Sequence, residues 1–187
     1  MIRNDDIVCM VGIPASGKSR YTGDLKESRN AESICLDDYF YDSNGVYSWN
    51  PQLDLVAWKK LTGKLEEILV RQSKTDPAPI IVDDIFYYLD RRAEIIDMAM
   101  RHARPAVCVF LDTPLEVAVQ RNAQRSDDRK IPEDVIRKMH KSMAYPAPSE
   151  GWRRIYKLDD MSLTLMWDRL TGKKSDKLGW AKKGTDK

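Results

Sequence analysis

The stretch Gly12-Ile13-Pro14-Ala15-Ser16-Gly17-Lys18-Ser19 matches the phosphate-binding pattern G-x-x-x-x-G-K-[S/T] and decides the fold. A wholly apolar run at residues 7–11 precedes it and is typical of a buried strand, and a helix-compatible segment at about residues 18–26 follows it. In that context the glycines allow consecutive backbone N–H groups to face an anion at the start of a helix. The stretch therefore predicts a P-loop that binds a nucleoside triphosphate.

Each position of the P-loop carries an expected role. Lys18 is expected to reach the β- and γ-phosphates of ATP, and the Ser19 hydroxyl is expected to hold Mg²⁺. The alternative is a chance Gly-Lys-Ser turn, which the strand before and the helix after it argue against. The residues predicted to bind the nucleotide from this loop are Gly12, Pro14, Ala15, Ser16, Gly17, Lys18 and Ser19.

Length and composition are those of one globular domain. The chain has 187 residues, of which 32% are charged and 42% are hydrophobic, which is ordinary for such a domain. A net charge of +2 does not by itself indicate a nucleic-acid-binding protein, so an RNA substrate would have to meet a local basic patch. No apolar stretch approaches the roughly 20 residues that cross a bilayer, and no membrane association is predicted.

The cysteines indicate the compartment. Cys9, Cys35 and Cys108 each lie in a predicted strand, where a cysteine usually acts as a small buried apolar residue. There is no C-x-x-C motif, and the two histidines are far apart in sequence, so a structural zinc site is not expected. An odd number of buried thiols is typical of a reducing compartment, and we predict a cytoplasmic protein.

Strand and helix patterns alternate along the chain, which predicts an α/β fold with a parallel sheet. A helix should begin after Asn50 as N-cap, and another after Thr113 as the first residue of a capping box with proline at the first helical position. The predicted strands are residues 7–11, 33–36, 80–82, 106–111 and 154–158, and further helices are expected at residues 91–102, from about 132, and at 162–170.

We assign residues 1–171 to this domain and residues 172–187 to a basic tail. The tail holds six lysines and little to bury, a composition typical of a flexible segment. The alternative is a basic arm that contacts RNA phosphates.

Two pairs of aspartates follow strands of the predicted sheet. Asp37 and Asp38 come after the second strand, and Asp83 and Asp84 come after the third, in the position of a Walker B carboxylate. Carboxyl ends of parallel strands are where such sheets bind ligands, although aspartates at strand ends also serve as turn formers or N-caps. We interpret Asp37 as the general base, with Asp83 or Asp84 acting on magnesium through water and on the acceptor end of the substrate.

Cations for phosphoryl transfer are expected from the segment after the fourth strand. Arg121 and Arg125 are four residues apart, so they would project from one helix face, with Arg129 and Lys130 beyond them. This arrangement is similar to a lid that closes over ATP and neutralises the transferred group. The alternative is a solvated basic helix end.

The motifs together resemble a known family, the O-phosphoseryl-tRNA kinases, which are the L-seryl-tRNA(Sec) kinases. The likeness covers about residues 5–160 and continues through Ile131-Pro132-x-x-Val135-Ile136. The motifs that carry it are Asp83-Asp84-x-Phe86-Tyr87-Tyr88-x-x-Arg91-Arg92, Leu111-Asp112-Thr113-Pro114-Leu115-Glu116-Val117 and Gln120-Arg121-Asn122-x-x-Arg125.

This resemblance implies a kinase that uses ATP and Mg²⁺ to phosphorylate the seryl hydroxyl of a charged tRNA. It implies a three-layer P-loop kinase fold with a five-stranded parallel sheet in the order 2-3-1-4-5 and a helical lid. The expected catalytic residues are Lys18, Asp37, Arg121 and Arg125; Ser19 and Asp83 are expected at the metal, and Asp38, Asp84, Tyr87 and Arg91 at the substrate. Family members usually add a helical domain that binds tRNA. Because this sequence ends soon after the expected kinase domain, we expect RNA recognition to involve a homodimer or a separate tRNA-binding partner.

Two other families share part of the pattern. Polynucleotide 5′-hydroxyl kinases are similar in Asp37-Asp38-Tyr39 and in the R-N-x-x-R lid motif. The Kti12 family of Elongator-associated ATPases is similar to the seryl-tRNA kinases and binds tRNA without a known kinase activity on it. Aromatic residues between positions 39 and 49 would either stack on an RNA base or pack the lid against the core.

Overall fold

A computed structural model gives the fold of residues 1–72, 76–126, 129–159 and 162–175. The strands are β1 (Ile7–Val11), β2 (Glu32–Cys35), β3 (Ile80–Asp83), β4 (Ala106–Phe110), β5 (Arg154–Asp159) and β6 (Ser162–Asp168). The α-helices are α1 (Lys18–Arg29), α2 (Pro51–Arg71), α3 (Leu89–Arg101), α4 (Leu115–Ala123) and α5 (Glu133–Ser142), and a 3₁₀ turn, Leu36–Phe40, follows β2.

The strands form one sheet in the order β2-β3-β1-β4-β5-β6. The first five are parallel, which confirms the predicted order 2-3-1-4-5. Strand β6 adds a sixth member, antiparallel to β5. Because β1 and β3 are adjacent, the P-loop after β1 lies beside the aspartates at the end of β3.

The predicted helix at residues 162–170 is wrong, because this segment is β6. Leu163 and Leu165 are half-buried while Ser162 and Thr164 are exposed, which is the two-residue period of a strand. Packing of the two leucines against the apolar cluster beneath β5 stabilises the strand, together with the pairing to β5. Short apolar runs of this kind are ambiguous between helix and strand in sequence alone.

The helices cover both faces of the sheet and produce three layers. Side chains of Ile7, Cys9 and Val11 pack against α2 and α3, whereas Val8 and Met10 pack against α1. Helices α4 and α5 share a smaller apolar cluster of their own with Ile13 of the P-loop. Helices α4 and α5, which form the expected lid, are therefore attached to the domain partly through the P-loop that they would cover.

Helix starts were predicted with mixed success. Asn50 caps α2 as predicted, because its side chain accepts hydrogen bonds from the backbone N–H groups of Gln52 and Leu53. The capping box at Thr113 is wrong: α4 begins after Pro114, and the Thr113 hydroxyl donates instead to the carbonyl oxygen of Ser16 at 2.9 Å. That hydroxyl joins the start of α4 to the P-loop.

The remaining sequence expectations concern the cysteines, the tail and membranes. Cys9, Cys35 and Cys108 lie in β1, β2 and β4 as predicted, and all three are free thiols. Of the tail, Lys173 and Ser175 hydrogen-bond to β6 through their backbones, and residues 176–187 lie outside the described part of the chain. No helix within the described ranges is long and apolar enough to cross a membrane.

Candidate active site

The P-loop depends on its small residues. A Cβ atom at Gly12 would lie 2.9 Å from the Ser16 hydroxyl oxygen, closer than real Cβ atoms approach, and 3.1 Å from the Leu111 carbonyl oxygen, which is also tight. Gly17 has a φ of +105°, a left-handed conformation that glycine adopts without strain. Ala15 adopts a φ of +59° in the same loop. The tight curl predicted from the glycines is therefore present.

Lys18 lies at the first position of α1 and folds back over the loop. Its ammonium group donates hydrogen bonds to the carbonyl oxygens of Gly12 at 2.9 Å and of Ile13 at 3.1 Å. Burial lowers the pKa of Lys18, and the negative charges of Asp83, Asp84 and Asp37 oppose this shift. The aspartates after β2 and β3 are therefore close enough to act on Lys18 electrostatically, as the sequence predicted.

The loop has the features of a phosphate cradle. The hydroxyl oxygen of Ser16 is buried and has no hydrogen-bond partner within the described residues, although a buried polar atom normally has one. On the other side of the same residue, the Ser16 carbonyl oxygen accepts hydrogen bonds from Thr113 and from Arg121, the latter at 3.3 Å. An unsatisfied hydroxyl beside left-handed glycine and a lysine is suited to phosphate oxygens.

Ser19 and Asp83 are the two residues from which a magnesium site is expected. The Thr22 hydroxyl donates to an Asp83 carboxylate oxygen at 3.5 Å, and Ser19 lies one turn before Thr22 on α1. Burial raises the pKa of Asp83, and the Lys18 charge opposes this shift. In the described ranges, no group of three or more His, Cys, Asp or Glu side chains could hold a metal ion alone. A Mg²⁺ ion here would therefore need phosphate oxygens and water beside Ser19 and Asp83.

Asp84 and Arg91 form an internal ion-pair network. The Arg91 guanidinium contacts Asp84 at 3.5 Å and forms an ion pair with Asp54 on α2. It also lies over the rings of Trp58, 4.7 Å from its centroid, and Tyr88. With its side chain only 10% exposed, Arg91 connects α2 to the loop after β3. A role of Arg91 at the substrate stays a prediction.

Arg92, which was not assigned a role from sequence, is the most fully buried cation of the site region. Its guanidinium donates to the carbonyl oxygens of Phe86 at 2.8 Å and Ala144 at 2.7 Å, and it contacts the Glu150 carboxylate at 3.3 Å. Phe86 has a φ of +48°, an uncommon conformation for a residue with a side chain. Arg92 thus stabilises the loop that follows Asp83 and Asp84. The sequence feature that could have indicated a role for Arg92 is its position next to Arg91 in the motif.

Asp37 and Asp38 lie on the 3₁₀ turn after β2, and both are exposed. Cys35, two residues before Asp37, is in register with Asp83 on β3, which brings the two aspartate pairs to one edge of the sheet. Burial, with smaller contributions from Asp83 and Asp37, raises the pKa of the Cys35 thiol to about 12. The four predicted carboxylates are therefore at the same edge, but only Asp37 and Asp38 face solvent.

The lid differs in detail from the prediction. Helix α4 ends at Ala123, so Arg121 lies in its last turn while Arg125 lies in the turn beyond it, and the two do not share a helix face. Asn122, which the lid motif includes but to which no role was assigned from sequence, is buried, and both atoms of its side-chain amide form hydrogen bonds with the backbone of Ile131. These hydrogen bonds close the loop between α4 and α5.

The aromatic segment at residues 39–49 packs mainly on itself and on the lid. Tyr47 makes edge-to-face contacts with Phe40 and Tyr41, at 5.9 and 5.3 Å between centroids. The Tyr41 hydroxyl accepts a hydrogen bond of 2.9 Å from Arg129 of the lid. Trp49 is 57% exposed. The packing alternative accounts for most of these rings, while Trp49 remains accessible.

The chain is similar in sequence to a known kinase. An L-seryl-tRNA(Sec) kinase of Methanococcus maripaludis is 23% identical over 150 residues, which cover 78% of this chain and 55% of that kinase. The chain thus spans about half the length of this relative. The expected resemblance to seryl-tRNA kinases is confirmed.

Solved structures confirm the P-loop kinase fold. Chaetomium thermophilum Kti12, in complex with ADP-AlF3, superposes with a TM-score of 0.60 at 17% identity over 82% of this chain and 89% of that one. The Pnkp1/Rnl/Hen1 RNA repair complex gives a TM-score of 0.61 at 20% identity over 74% of this chain and 43% of that one. The profile of the AAA domain family (AAA_33) matches residues 7–146, most of the chain. Strands β1 to β4, the P-loop and helices α4 and α5 fall within that match, whereas β5 and β6 follow it. The chain belongs to the AAA domain family.

Proposed function

We propose that the chain is a kinase that uses ATP and Mg²⁺ to phosphorylate a hydroxyl group on an RNA-linked acceptor, as the seryl-tRNA kinases do by name. One observation carries the proposal. Lys18, a cation on the P-loop, lies within electrostatic reach of Asp37, Asp83 and Asp84, which come from the ends of two neighbouring strands. Phosphoryl transfer requires this combination of a phosphate-binding cation, a metal-ordering carboxylate and a proton acceptor.

The chemistry assigns a role to each group. Attack by the acceptor hydroxyl oxygen forms a bond to the γ-phosphorus, the bond from that phosphorus to the β,γ-bridging oxygen breaks, and ADP leaves. Asp37, which is exposed, accepts the hydroxyl proton. Lys18 and Arg121 stabilise the charge on the phosphates, with Arg125 entering from the lid. Ser19 and Asp83 would hold Mg²⁺, which when bound neutralises charge on the β- and γ-phosphates.

The acceptor side of the site is built differently from the nucleotide side. Asp38 is exposed on the 3₁₀ turn, and Tyr87 is half-buried with its ring 5.0 Å from that of Tyr88. We assign these two residues and Asp84 to the acceptor. Arg91 acts there only indirectly, because its guanidinium is already engaged by two carboxylates. We propose that a second copy of the chain or a partner protein in the cytoplasm binds the body of the tRNA.

An acceptor screen with γ-³²P-ATP tests the proposal. Purified protein is incubated with charged tRNA including seryl-tRNA(Sec), with uncharged tRNA, and with 5′-hydroxyl oligonucleotides, and label on each acceptor is counted. Seryl-tRNA kinase activity is supported if mild hydrolysis of the aminoacyl ester releases the label from the tRNA as phosphoserine. Label on 5′-hydroxyl RNA alone would replace it with a polynucleotide 5′-hydroxyl kinase.

A second candidate is an accessory ATPase that responds to tRNA. It is favoured by the structural likeness to Kti12, of which the chain covers 89%. This candidate predicts ATP hydrolysis that increases when tRNA is added, with no labelled acceptor in the screen. Measuring released phosphate and acceptor label in the same reactions distinguishes the two functions.

A further inference from the structure

Tyr47 belongs to a short hairpin that directly follows the 3₁₀ turn carrying Asp37. It forms an antiparallel bridge with Tyr41, and the N–H of the next residue donates to the carbonyl oxygen of Phe40, the last residue of that turn, at 2.8 Å. The Asp42 carboxylate closes the hairpin by accepting hydrogen bonds from two backbone N–H groups, at 2.8 and 2.9 Å. Backbone hydrogen bonds therefore set the position of Tyr47 relative to the proposed base.

The ring and the hydroxyl of Tyr47 have different surroundings. The ring packs edge-to-face on Phe40, which is buried, and on Tyr41, and it lies against the main apolar core. The Tyr47 hydroxyl forms no hydrogen bond within the described residues, whereas the Tyr41 hydroxyl accepts one from Arg129. The fold thus fixes the ring and leaves the hydroxyl of a half-buried tyrosine available to a ligand.

Charged groups of the candidate site act on that hydroxyl. Burial, followed by the charge of Asp37, raises the pKa of Tyr47 to about 12, and the charges of Arg129 and Arg125 oppose this shift. The phenol therefore keeps its proton at neutral pH and can donate a hydrogen bond. Its oxygen is within electrostatic reach of both the proposed base and the arginines of the lid.

The surroundings of Tyr47 indicate the acceptor side of the site. Asp37 and Arg125 act on the pKa of Lys18 as well as on that of Tyr47, so they are near both the phosphate-binding cation and the hairpin. Within the described residues, hydrogen bonds join the hairpin to the 3₁₀ turn and to the lid, but not to the P-loop. An attacking hydroxyl approaches the γ-phosphorus beside the base and opposite the departing ADP. The hairpin is placed to meet the acceptor rather than the nucleotide.

We infer that Tyr47 is a further acceptor-binding residue, whose hydroxyl donates a hydrogen bond to an oxygen of the acceptor while the attacked hydroxyl meets Asp37. This inference rests on the proposed kinase function and adds to it a group that selects the acceptor. Asp37 takes the proton of the attacking hydroxyl, and Tyr47 keeps its own. The acceptor should therefore carry an oxygen close to its attacked hydroxyl, as both a seryl ester and a ribose 5′-hydroxyl do.

Tyr47→Phe tests the inference, because it removes the hydroxyl and keeps the ring. Kinetics are measured with the acceptor that is labelled in the screen, and ATP hydrolysis is measured without acceptor. We expect kcat/KM for the acceptor to fall about three- to tenfold through a higher acceptor KM, while the KM for ATP, the acceptor-free hydrolysis and the melting temperature stay at wild-type values. Tyr21→Phe is the matched control and should change none of these values. Burial raises the pKa of Tyr21 to about 12 as well, but its hydroxyl lies near Tyr156 and Asp24 instead.

A spectroscopic measurement separates contact with the acceptor from an effect on folding. In protein labelled with ¹³Cζ-tyrosine, the signal that is missing from Tyr47→Phe reports the Tyr47 hydroxyl. It should shift when acceptor is added to the protein already saturated with a non-hydrolysable ATP analogue. An unmoved signal, or a wild-type acceptor KM in Tyr47→Phe, would overturn the inference and leave the kinase proposal in place.

Two further outcomes have distinct meanings. If acceptor-free ATP hydrolysis falls in Tyr47→Phe as much as acceptor phosphorylation does, the hydroxyl acts on the nucleotide, and the inference is wrong. If the wild-type protein labels no acceptor in the screen, the proposed function is wrong, and the inference is wrong with it.

Discussion

The ammonium group of Lys18 lies 2.9 Å from the carbonyl oxygen of Gly12, the first residue of the same loop. A second hydrogen bond, to Ile13, holds the side chain across the P-loop rather than extended from it. Phosphate oxygens would therefore compete with two carbonyl groups for the same cation. Because a phosphate is charged and a carbonyl is not, the exchange favours the nucleotide. The lysine is held beside its expected ligand before the ligand binds.

Replacing Lys18 by Ala should abolish phosphoryl transfer. The change removes the cation that stabilises the β- and γ-phosphates, and we expect a loss of at least about 10²–10³-fold in turnover. Release of ³²P-phosphate or labelled acceptor gives the measurement. Arg20→Ala, an exposed cation two residues along the same helix, is the matched control and should retain activity. Wild-type turnover in Lys18→Ala would mean that the nucleotide binds elsewhere.

Asp37→Asn should separate nucleotide binding from catalysis. An amide cannot accept the hydroxyl proton, so the rate should fall by about 10²–10⁴-fold while ATP binding changes little. Binding is measured with a fluorescent ATP analogue and the rate with the acceptor found in the screen. Asp24→Asn, an exposed aspartate on α1, controls for the loss of one surface charge. An unchanged rate would remove Asp37 as the base.

Asp83→Asn should raise thermal stability at neutral pH while it lowers activity. Burial raises the pKa of Asp83 above its ordinary value, so the ionised carboxylate costs stability that a neutral amide does not. The amide oxygen can still accept the hydrogen bond from Thr22. We expect the melting temperature at pH 7 to rise by about 2–4 °C, which corresponds to about 1 kcal/mol for a domain of this size.

The pH dependence of this difference has a defined sign. A raised pKa means that the folded protein binds the Asp83 proton more tightly than the unfolded chain does, so wild-type stability falls as pH rises from the ordinary pKa through the folded one. Below both values the carboxyl is neutral, and the two proteins should melt at similar temperatures. Melting curves from pH 3 to pH 7 measure the gap between them. A gap that is constant with pH would show that charge on Asp83 is not its cause.

The P-loop and the edge where the carboxylates meet were predictable because each depends on local sequence, whereas the order of five strands came only from the resemblance to a known family. Glycines, an apolar strand and a following lysine determine the loop, and strand ends determine where Asp37 and Asp83 lie. Strand β6 was not predictable from a short apolar run, because its pairing with β5 and the packing of Leu163 and Leu165 decide its conformation.

Long-range side-chain contacts were the other part that sequence did not provide. Arg91 was assigned to the substrate on a motif, yet its partner Asp54 is 37 residues earlier and only the fold brings them together. Thr113 was read as a helix cap because its neighbours fit a capping pattern, whereas its hydroxyl reaches Ser16, 97 residues away. Motifs indicate which residues matter but not whether they act on a ligand or on the fold.

The ion pair between Asp54 and Arg91 should be a stabilising element that a double-mutant cycle can isolate. Removing one partner leaves a poorly solvated charge, so Arg91→Met alone should cost about 3–5 kcal/mol of unfolding free energy. Adding Asp54→Asn should restore part of that loss, with a coupling energy of about 1–3 kcal/mol. Urea denaturation of the four proteins gives the values. Strictly additive effects would show that Arg91 is not held by Asp54, and would return it to the substrate site.

Asn122→Ala should open the lid without affecting the P-loop. Both hydrogen bonds between the Asn122 amide and the Ile131 backbone are lost, and because Asn122 is buried the freed backbone groups are left without partners. We expect a local cost of about 1–3 kcal/mol, confined to the connection between α4 and α5. Limited proteolysis should then cleave this connection at least about fivefold faster, and backbone amide exchange at Ile131 should accelerate.

Gln120→Ala, at an exposed position on α4, is the matched control and should leave both rates unchanged. An ATP analogue should slow cleavage of wild type more than that of Asn122→Ala, because Arg121 and Arg125 can order the lid over phosphates only while the connection keeps its shape. Equal protection of both proteins by nucleotide would show that the lid arginines do not contact it. In that case Arg121, which reaches the Ser16 carbonyl, would be a structural contact of the P-loop rather than a catalytic residue.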